Sequence, residues 1–406
     1  MHIHNSKNKE YVLRGFTLIE LLVAVTIFII LTALTVGAFN LNIGSERTKS
    51  TSRMLQAKFE GARSRAYGAS IQDGKGVPYG IRFILDEFNP GLATGFQFVR
   101  GFDEVPTGRL HFVDLTPGDG IPDNNPGIQE LGARDINSQS FLELANLGLL
   151  RGGLEIVIDE VPYIISSSRF LSNTYNNTTL ELIPNPRGVS NYGDPSSPNS
   201  PVIGERAEYQ LDLSTVAVPV PGEDIQSFPN GSVVDLRFSD VPADWRKIFP
   251  WVAGRLYQAN DWIIVRKSSG GLKYCQAITG GTSGGSQPNF EGAALFSVVN
   301  DGGLSWRVYD SLHLDLMFSP QGNVFGPTSA QGVLHFLIAS RGDIDDGLRL
   351  DDSAAIPQLR GSYRVVTVYT NSGSVSVSEA DLTDIDGVNG VDDLFNYARQ
   401  GLSANK

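Results

Sequence analysis

The chain has 406 residues and a formal net charge of −12, with 32 basic against 44 acidic residues. An acidic chain of this kind repels phosphate backbones, so the composition argues against a nucleic-acid-binding protein. Cys275 is the only cysteine, so no disulfide can form within the chain. A single cysteine neither supports nor excludes an oxidising compartment.

A long apolar run lies near the N-terminus. Residues 16–39 carry no charge except Glu20. At about 1.5 Å per residue, a helix of this length crosses a bilayer core of about 30 Å. We therefore predict one transmembrane helix over 16–39, preceded by a leader, 1–15. The run is too long for the core of a signal peptide, and no A-x-A-like cleavage site follows it.

Glu20 is costly in such a helix. A charged side chain at the bilayer centre costs about 2.5–3.5 kcal/mol on insertion scales, so a functional partner is the first hypothesis. The alternative is that Glu20 lies near the membrane face and its carboxylate reaches the headgroups. Basic residues lie on both sides of the run, so the positive-inside rule does not fix its orientation.

The residues around Glu20 read GFTLIELLVA, from Gly15 to Ala24. This stretch resembles the processing motif of type IV prepilins and type II secretion pseudopilins. The resemblance implies that a membrane-embedded prepilin peptidase cleaves after Gly15 and methylates the new N-terminal Phe16. It also implies that Glu20 faces the N-terminal ammonium of a neighbouring subunit, since an opposite charge stabilises a carboxylate most in low dielectric.

The pattern beyond the apolar run predicts an amphipathic helical stem over 40–72. Apolar residues recur on one face at three- and four-residue steps, namely Leu55, Phe59, Ala62, Ala66 and Ala69. The segment DGKGVP then ends the helix before Tyr79. The long N-terminal helix of pilins has this form.

The rest of the chain is predicted to be rich in strands. Apolar residues alternate in VPYGIRFIL, AEYQLDLS and LHLDLMF, and SYRVVTVYTNSGSVSVS indicates a hairpin. We predict an α+β fold in which the long helix packs on an antiparallel β-sheet domain, as in pilins, with large β-rich insertions. The segment EGARSRAYGA with GVPYGIRF resembles the H-type minor pseudopilins.

Insertions divide the predicted pilin-like domain. Its first part covers 73–255 and contains an insertion with a Pro/Ser/Asn-rich linker at about 183–202, a composition typical of exposed boundaries. Its C-terminal β part covers 310–406. Between them, 256–309 is predicted to be an inserted small β-module.

The module resembles a small β-unit of phage tail and surface proteins. The resemblance rests on Tyr274-Cys275, the GTSG stretch from Gly281 to Gly284, Asp301-Gly302 and Trp306. Gln287 and Phe290 replace the acid and the tryptophan that this unit usually has. Its aromatic residues have two interpretations, because they either form the core of a short module or present flat surfaces to sugar rings. Trp262 and Phe290 flank loop-like sequence and are the candidates for carbohydrate binding.

The sequence contains no recognisable catalytic motif, so we expect a protein that is not an enzyme. Acidic loops are the candidate cofactor sites, since oxygen ligands at alternate positions suit calcium. The preferred loop is DIDGVNGVDD, with Asp384, Asp386 and Asp392, although it lacks the final glutamate of an EF-hand. The other interpretation is a solvated turn.

These patterns favour a structural subunit, a minor pseudopilin of a type II secretion system. The expected partners are prepilin peptidase, other pseudopilins or pilins in a hetero-oligomeric filament, and the membrane, but no nucleic acid. The expected location is the inner membrane, crossed once, with the C-terminal domain in the periplasm or on the cell surface. Two alternatives remain open: a minor pilin of a type IV pilus, and a membrane-anchored adhesin or carbohydrate-binding surface protein.

Overall fold

A computed structural model provides the structure of the chain. It describes residues 18–73, 76–102, 107–114, 131–135, 141, 144, 149–150, 154–165, 179–184, 206–211, 213, 216–269, 271–293, 297–309, 312–345, 350, 362–383 and 391–401. For residues 33–44, 69–73, 113–114, 131–135, 179, 183–184, 230 and 327 only the backbone is described, so the side chain of Ala69, part of the predicted apolar face, lies outside the description.

The described part begins with one long helix, α1 (Leu18–Asp73), which ends where the DGKGVP segment was predicted to end it. Two strands follow, β1 (Tyr79–Leu85) and β2 (Leu92–Gly101). The next six are β3 (Thr107–Asp114), β4 (Leu131–Asp135), β5 (Glu155–Ile158), β6 (Val161–Ile165), β7 (Thr179–Pro184) and β8 (Arg206–Leu211).

Fifteen further strands complete the described part. The first three are β9 (Ala217–Pro219), β10 (Gln226–Ser227) and β11 (Ser232–Asp240). Seven come next: β12 (Ile248–Pro250), β13 (Leu256–Tyr257), β14 (Trp262–Arg266), β15 (Leu272–Ala277), β16 (Gly281–Thr282), β17 (Val298–Asp301) and β18 (Leu304–Tyr309). The last five are β19 (Asp315–Phe318), β20 (Val324–Phe325), β21 (Val333–Ser340), β22 (Arg364–Tyr369) and β23 (Ser374–Glu379). Short helices are α2 (Ala243–Arg246), α3 (Arg341–Asp345) and α4 (Asn396–Arg399), with 3-10 turns at Pro229–Gly231 and Pro327–Gln331.

The central sheet is antiparallel and, over the described residues, has ten strands. Eight lie in the order β20-β19-β1-β2-β11-β21-β22-β23, and β9 and β10 pair with β2. The predicted hairpin is confirmed, because β22 and β23 pair from Arg364–Glu379 to Tyr369–Ser374. Its turn needs glycine at 373 for two reasons: φ there is 63°, and an added Cβ would clash with the Gly322 carbonyl oxygen.

The second half of α1 packs on this sheet. Leu55, Phe59, Ala62 and Ala66 are fully buried, which confirms the predicted apolar face of the stem. The Phe59 ring lies 5.4 Å from that of Phe336 on β21, centroid to centroid. The alternation in β1 is also confirmed, since Ile81 and Phe83 face the same core. The described residues therefore form an α+β fold, with one helix on an antiparallel sheet.

Residues 107–211 contain a closed barrel, in the strand order β3-β4-β7-β6-β5-β8. In β8 every second residue points inward, so that Ala207, Tyr209 and Leu211 are buried. Closure pairs the strand edges and encloses a core of its own, separate from the core under α1. The sequence predicted an insertion here but not its closure. The predicted linker at about 183–202 starts at the end of β7, and its remaining residues lie outside the described part.

The module forms a sheet in the order β12-β14-β15-β18-β17, with β13 and β16 paired beside it. One face of this sheet covers its own core, in which Tyr257, Phe290 and Trp306 are among the largest fully buried side chains. The strand β12 pairs with β14 in parallel and precedes the segment 256–309 along the chain.

Candidate assembly site and inserted module

The N-terminal half of α1 is an apolar surface on which Glu20 is the single acidic residue. All large apolar side chains from Leu18 to Leu31 are at least half exposed. Apolar side chains on all sides of a helix require an apolar environment or a protein partner. Gly15 and Phe16, the predicted processing residues, lie outside the described residues.

No helix in the described part of the chain is both long enough and apolar enough to cross a membrane. The side chains of residues 33–44, within and just beyond the predicted span at 16–39, lie outside the description.

From Ser45 onward α1 lies against the domain. Thr48, Thr51 and Ser52 are fully buried, and the Thr48 hydroxyl is 3.4 Å from that of Ser362, two residues before β22. Hydroxyl-bearing residues therefore occupy the first turns of the packed half, ahead of the apolar face that begins at Leu55. The helix thus has an exposed apolar segment from Leu18 to Leu31 and, from Ser45 onward, a part that packs on the domain.

Three basic side chains hold the stem to the surrounding loops. The Lys58 ammonium donates to Gln226 Oε1 at 2.9 Å, and the Arg63 Nε–H donates to the Gly322 carbonyl oxygen at 3.0 Å. Arg65 lies 2.8 Å from Glu223 and over the ring of Phe98. These contacts fix the rotation of the helix about its axis, so that one side of the stem always faces away from the domain.

Phe290 is 1% exposed, so the expectation of an exposed ring at this position was wrong. Its ring meets that of Trp306 edge to face, with centroids 6.3 Å apart. The Lys273 ammonium, itself buried, donates to the carbonyl oxygens of Phe290 and Glu291 and holds the loop in place. The sequence around Phe290 is loop-like, but a loop can cover a core with its largest side chain.

Trp262 is partly buried at a junction between parts of the chain. Its ring packs against the core under α1 and lies 5.1 Å from the ring of Tyr309. Tyr309 in turn packs against the core of the barrel. Trp262 therefore lies where the module meets both the central sheet and the barrel, and Phe290 lies on the other face of the module.

Asp301 is a buried carboxylate whose role the sequence did not predict. Its Oδ2 accepts hydrogen bonds from the indole N–H groups of Trp251 and Trp306, at 2.8 and 3.0 Å, and its Oδ1 accepts one from the Gly284 amide at 2.7 Å. A buried carboxylate is tolerated when its oxygens are saturated in this way. The sequence signal that could have predicted this role is the Asp-Gly turn followed by Trp306, because one hairpin then carries both the carboxylate and the indole.

Two of the predicted calcium ligands, Asp384 and Asp386, lie outside the described residues, and Asp392 is exposed. The Asp392 amide donates to the Thr383 carbonyl oxygen at 3.2 Å, so the described ends of this loop are held together. No cluster of three acidic, histidine or cysteine side chains suited to a metal occurs among the described residues. Calcium binding stays a prediction.

Comparison with known proteins supports the N-terminal interpretation and nothing finer. Residues 14–36 match the prokaryotic N-terminal methylation motif. No curated protein and no solved structure matches the chain. The matched stretch contains Gly15, Phe16 and Glu20 and runs directly into the described part of α1. The chain therefore carries the N-terminal signature of type IV pilin-like and pseudopilin-type proteins.

Proposed function

We propose that the chain is a minor pseudopilin, a structural subunit of the filament of a type II secretion system. In this role prepilin peptidase removes residues 1–15 and methylates Phe16, and the mature chain joins other pseudopilins. The observation that carries the proposal is the methylation motif at 14–36, which continues into a helix whose second half packs on an antiparallel sheet. Such a helix links an apolar anchor to an extracytoplasmic domain.

The proposal also places the chain in the inner membrane, crossed once by the N-terminal half of α1, with the domain in the periplasm. It is supported by the apolar run at 16–39 and by the exposed apolar side chains around Glu20. A carboxylate among them is compatible with this location when assembly provides an opposite charge.

The role is that of a minor subunit, present in few copies. The barrel and the module add two separate cores to the helix-and-sheet domain. Added bulk of this size is difficult to repeat along a tightly wound filament, whereas a tip or a rare position accommodates it. The absence of a catalytic motif in the sequence is consistent with a structural role.

Processing tests the proposal directly. Co-expression with a prepilin peptidase should remove residues 1–15 and leave Phe16 N-methylated, which intact-mass spectrometry detects. Gly15→Ala should slow or block cleavage, because a side chain then enters the peptidase subsite next to the scissile bond. Gly37→Ala, a glycine substitution at a distance from the cleavage site, is the control and should be processed normally. A chain that keeps Met1 beside an active peptidase contradicts the proposal.

Two other functions share the N-terminal motif. A minor pilin of a type IV pilus would also be processed, but its deletion would abolish pili and leave protein secretion intact. An adhesin or carbohydrate-binding protein would use α1 only as an anchor, and its deletion would affect neither filament. Measuring secreted enzymes and surface pili in one deletion strain separates the three.

A further inference from the structure

A row of serines crosses one end of the central sheet. Ser232 on β11 is paired with Ser340 on β21, and continuing the β21–β22 register by two residues places Ser362 beside Ser340. Ser232 and Ser340 lie on the face of the sheet that α1 covers, since the residues two positions away, Val234 and Ile338, belong to the core under the helix. We call Ser232, Ser340 and Ser362 the serine row.

The first turns of the packed half of α1 pass over this row. The Thr48 hydroxyl lies 3.4 Å from that of Ser362, and farther along the helix Phe59 packs on β21. The helix therefore follows β21 from its C-terminal end. Thr51, about 4.5 Å beyond Thr48 along the axis, lies at the level of the next residue pair of the sheet, which contains Arg364.

Three polar groups in this region are buried without a hydrogen-bond partner among the described residues, namely the hydroxyls of Thr51 and Ser232 and the Nε–H of Arg364. Thr51 is fully buried, and Ser232 and Arg364 are 2% and 8% exposed. Arg364 lies on the helix-covered face, since Val366, two residues later, belongs to the core under α1. Buried polar groups without partners are costly, so three of them between one helix and one sheet end indicate a site that a polar ligand completes.

The chemistry of these groups suits an oxyanion, because a guanidinium and several hydroxyls all donate hydrogen bonds. Glu379 accepts from Nη2 of Arg364 at 3.0 Å but is 61% exposed, so this ion pair is weak and open to competition. A second carboxylate, Asp343, accepts from the Ser362 amide at 3.3 Å. Over 45–53, α1 carries three basic residues and one acidic residue. With Arg364 included, the cations of this region outnumber these carboxylates by four to three.

We propose that the serine row, Thr51 and Arg364 bind a phosphate group, which enters beside the partly exposed Ser362. The site lies where α1 leaves the domain, since residues 21–45 are uncharged and Thr48 is only three residues, about 4.5 Å, farther on. A headgroup layer is about 5–8 Å thick on each side of the bilayer core. The phosphate of a membrane lipid can therefore reach the site, and a free phosphate ion offers the same chemistry. The lipid source rests on the proposed function, in which the N-terminal half of α1 crosses the membrane.

Inorganic phosphate tests the site in detergent, without any lipid. The purified full-length chain is titrated with sodium phosphate, with sodium chloride at equal ionic strength as the reference, and calorimetry and the melting temperature report binding. We expect phosphate to raise the melting temperature, because a ligand that binds only the folded state stabilises it. Arg364→Gln should weaken phosphate binding roughly tenfold or more, since it removes the charge-assisted hydrogen bonds. Glu379→Gln should strengthen it by removing the competing carboxylate.

Ser232→Ala separates binding from packing. Removing a buried hydroxyl that has no partner should leave the melting temperature of the phosphate-free chain unchanged or higher, yet should reduce the rise that phosphate causes. Ser378→Ala is the matched control and should keep the full rise. The Ser378 hydroxyl is also buried without a described partner, but it lies on the other face of the sheet, opposite Val365. If Arg364→Gln fails to fold, Arg364→Lys and Ser232→Ala decide the outcome.

Nanodiscs distinguish the two sources of phosphate. The full-length chain is placed in discs of phosphatidylglycerol or of digalactosyl diacylglycerol, which has no phosphate, and hydrogen exchange of residues 45–54 is measured. A lipid source predicts slower exchange in the phosphatidylglycerol discs and loss of this protection in Arg364→Gln. A free ion predicts equal exchange in both discs and slower exchange only when inorganic phosphate is added.

The outcomes separate this inference from the proposed function. The site is overturned by equal phosphate binding to the unmodified chain and to Arg364→Gln, by an equal loss in Ser378→Ala and Ser232→Ala, or by no response to either source. If phosphate binds in detergent but the chain is not cleaved after Gly15, the site stands and the proposed function fails. A chain that is cleaved but never responds to phosphate gives the reverse result.

Discussion

Glu20 is the single charged side chain among the exposed apolar residues at the start of the described helix, which makes it the residue most informative about assembly. Replacing it with glutamine keeps the shape and removes the negative charge. We expect Glu20→Gln to be cleaved and inserted normally but to recruit partner subunits several-fold less, because the neighbouring ammonium loses its counter-charge.

Affinity capture of partner subunits from membranes measures this prediction. Asp224→Asn is the matched control, since it makes the same chemical change on the exposed surface of the domain. Recruitment by Glu20→Gln at the level of the unmodified chain would show that the carboxylate is only tolerated at the membrane face.

His335 is a buried histidine whose protonation opposes folding. It is 3% exposed, its Nδ1 is 2.9 Å from the Thr367 hydroxyl, and its ring stacks on that of Phe395 with centroids 4.8 Å apart. Burial lowers the pKa of the imidazole below its ordinary value. Asp240 acts in the opposite direction, Arg399 lowers the pKa further, and Asp393 raises it.

The lowered pKa predicts a loss of stability in mild acid. At neutral pH the imidazole is neutral in both the folded and the unfolded chain, so its protonation does not lower the free energy of unfolding. As the pH falls below about 6.5, the unfolded chain binds a proton before the folded one does, so the free energy of unfolding decreases until the folded pKa is reached. Melting temperatures between pH 7.5 and 5 measure the effect, and His335→Gln should flatten this part of the curve.

His111, which is partly exposed on β3, provides the control. His111→Gln should keep the slope between pH 7.5 and 5, since its ring is not held in the central core. If His335→Gln fails to fold, His335→Asn and Phe395→Leu give second tests. A folded variant without His335 that loses stability with falling pH as steeply as the unmodified chain contradicts the assignment of this effect to His335.

At the scale of elements, the C-terminal acidic loop is the candidate calcium site. Its described ends are joined by the bond between Asp392 and Thr383, and Asp381 beside them accepts hydrogen bonds from Thr383 and Asn396. Burial would raise the pKa of Asp381, but these bonds lower it overall, so this carboxylate stays ionised in the folded chain. A cation bound in the loop would therefore lie between two ends that hydrogen bonds already hold together.

We expect calcium to raise the melting temperature by a few degrees through this loop, since a ligand that binds only the folded state stabilises it. Asp384→Asn with Asp386→Asn should abolish both the shift and the heat of binding measured by calorimetry. Asp244→Asn, an exposed change on α2, should preserve them. Equal stability with calcium and with a chelator would leave the loop as a solvated turn.

At the scale of the whole molecule, Trp262 connects the module to the remainder of the chain. Truncating a partly buried tryptophan that packs against the core under α1 and against Tyr309 costs about 2–4 kcal/mol. We therefore expect Trp262→Ala to lower the melting temperature of the purified chain, while Trp262→Phe retains most of the stability. Val252→Ala, at a side chain 45% exposed, should have little effect.

Polysaccharide pull-down with the same variants distinguishes packing from recognition. Binding by the unmodified chain that disappears in Trp262→Ala at an unchanged melting temperature would show a carbohydrate site. A large loss of stability without any bound polysaccharide would show that the ring joins parts of the molecule.

Local patterns were sufficient for the elements whose neighbours are close in sequence. The apolar steps from Leu55 to Ala66 predicted the packed face of α1, because a helix repeats every 3.6 residues wherever it is placed. Alternation predicted β1 and the β22–β23 hairpin for the same reason. The methylation motif is also local, because it lies within the continuous stretch 14–36.

Contacts between residues distant along the chain could be identified only from the tertiary structure. Closure of the barrel depends on pairing β3 with β8, nearly a hundred residues away, and strand periodicity does not specify a partner. Only the tertiary structure, in which the loop lies over Trp306, shows that Phe290 is buried. From the sequence alone, an aromatic ring is equally suited to a core and to a binding surface. By itself the sequence determined the N-terminal methylation motif and which face of the stem is apolar. Packing decided which of the described side chains stay exposed and which enter a core, because burial depends on neighbours distant along the chain.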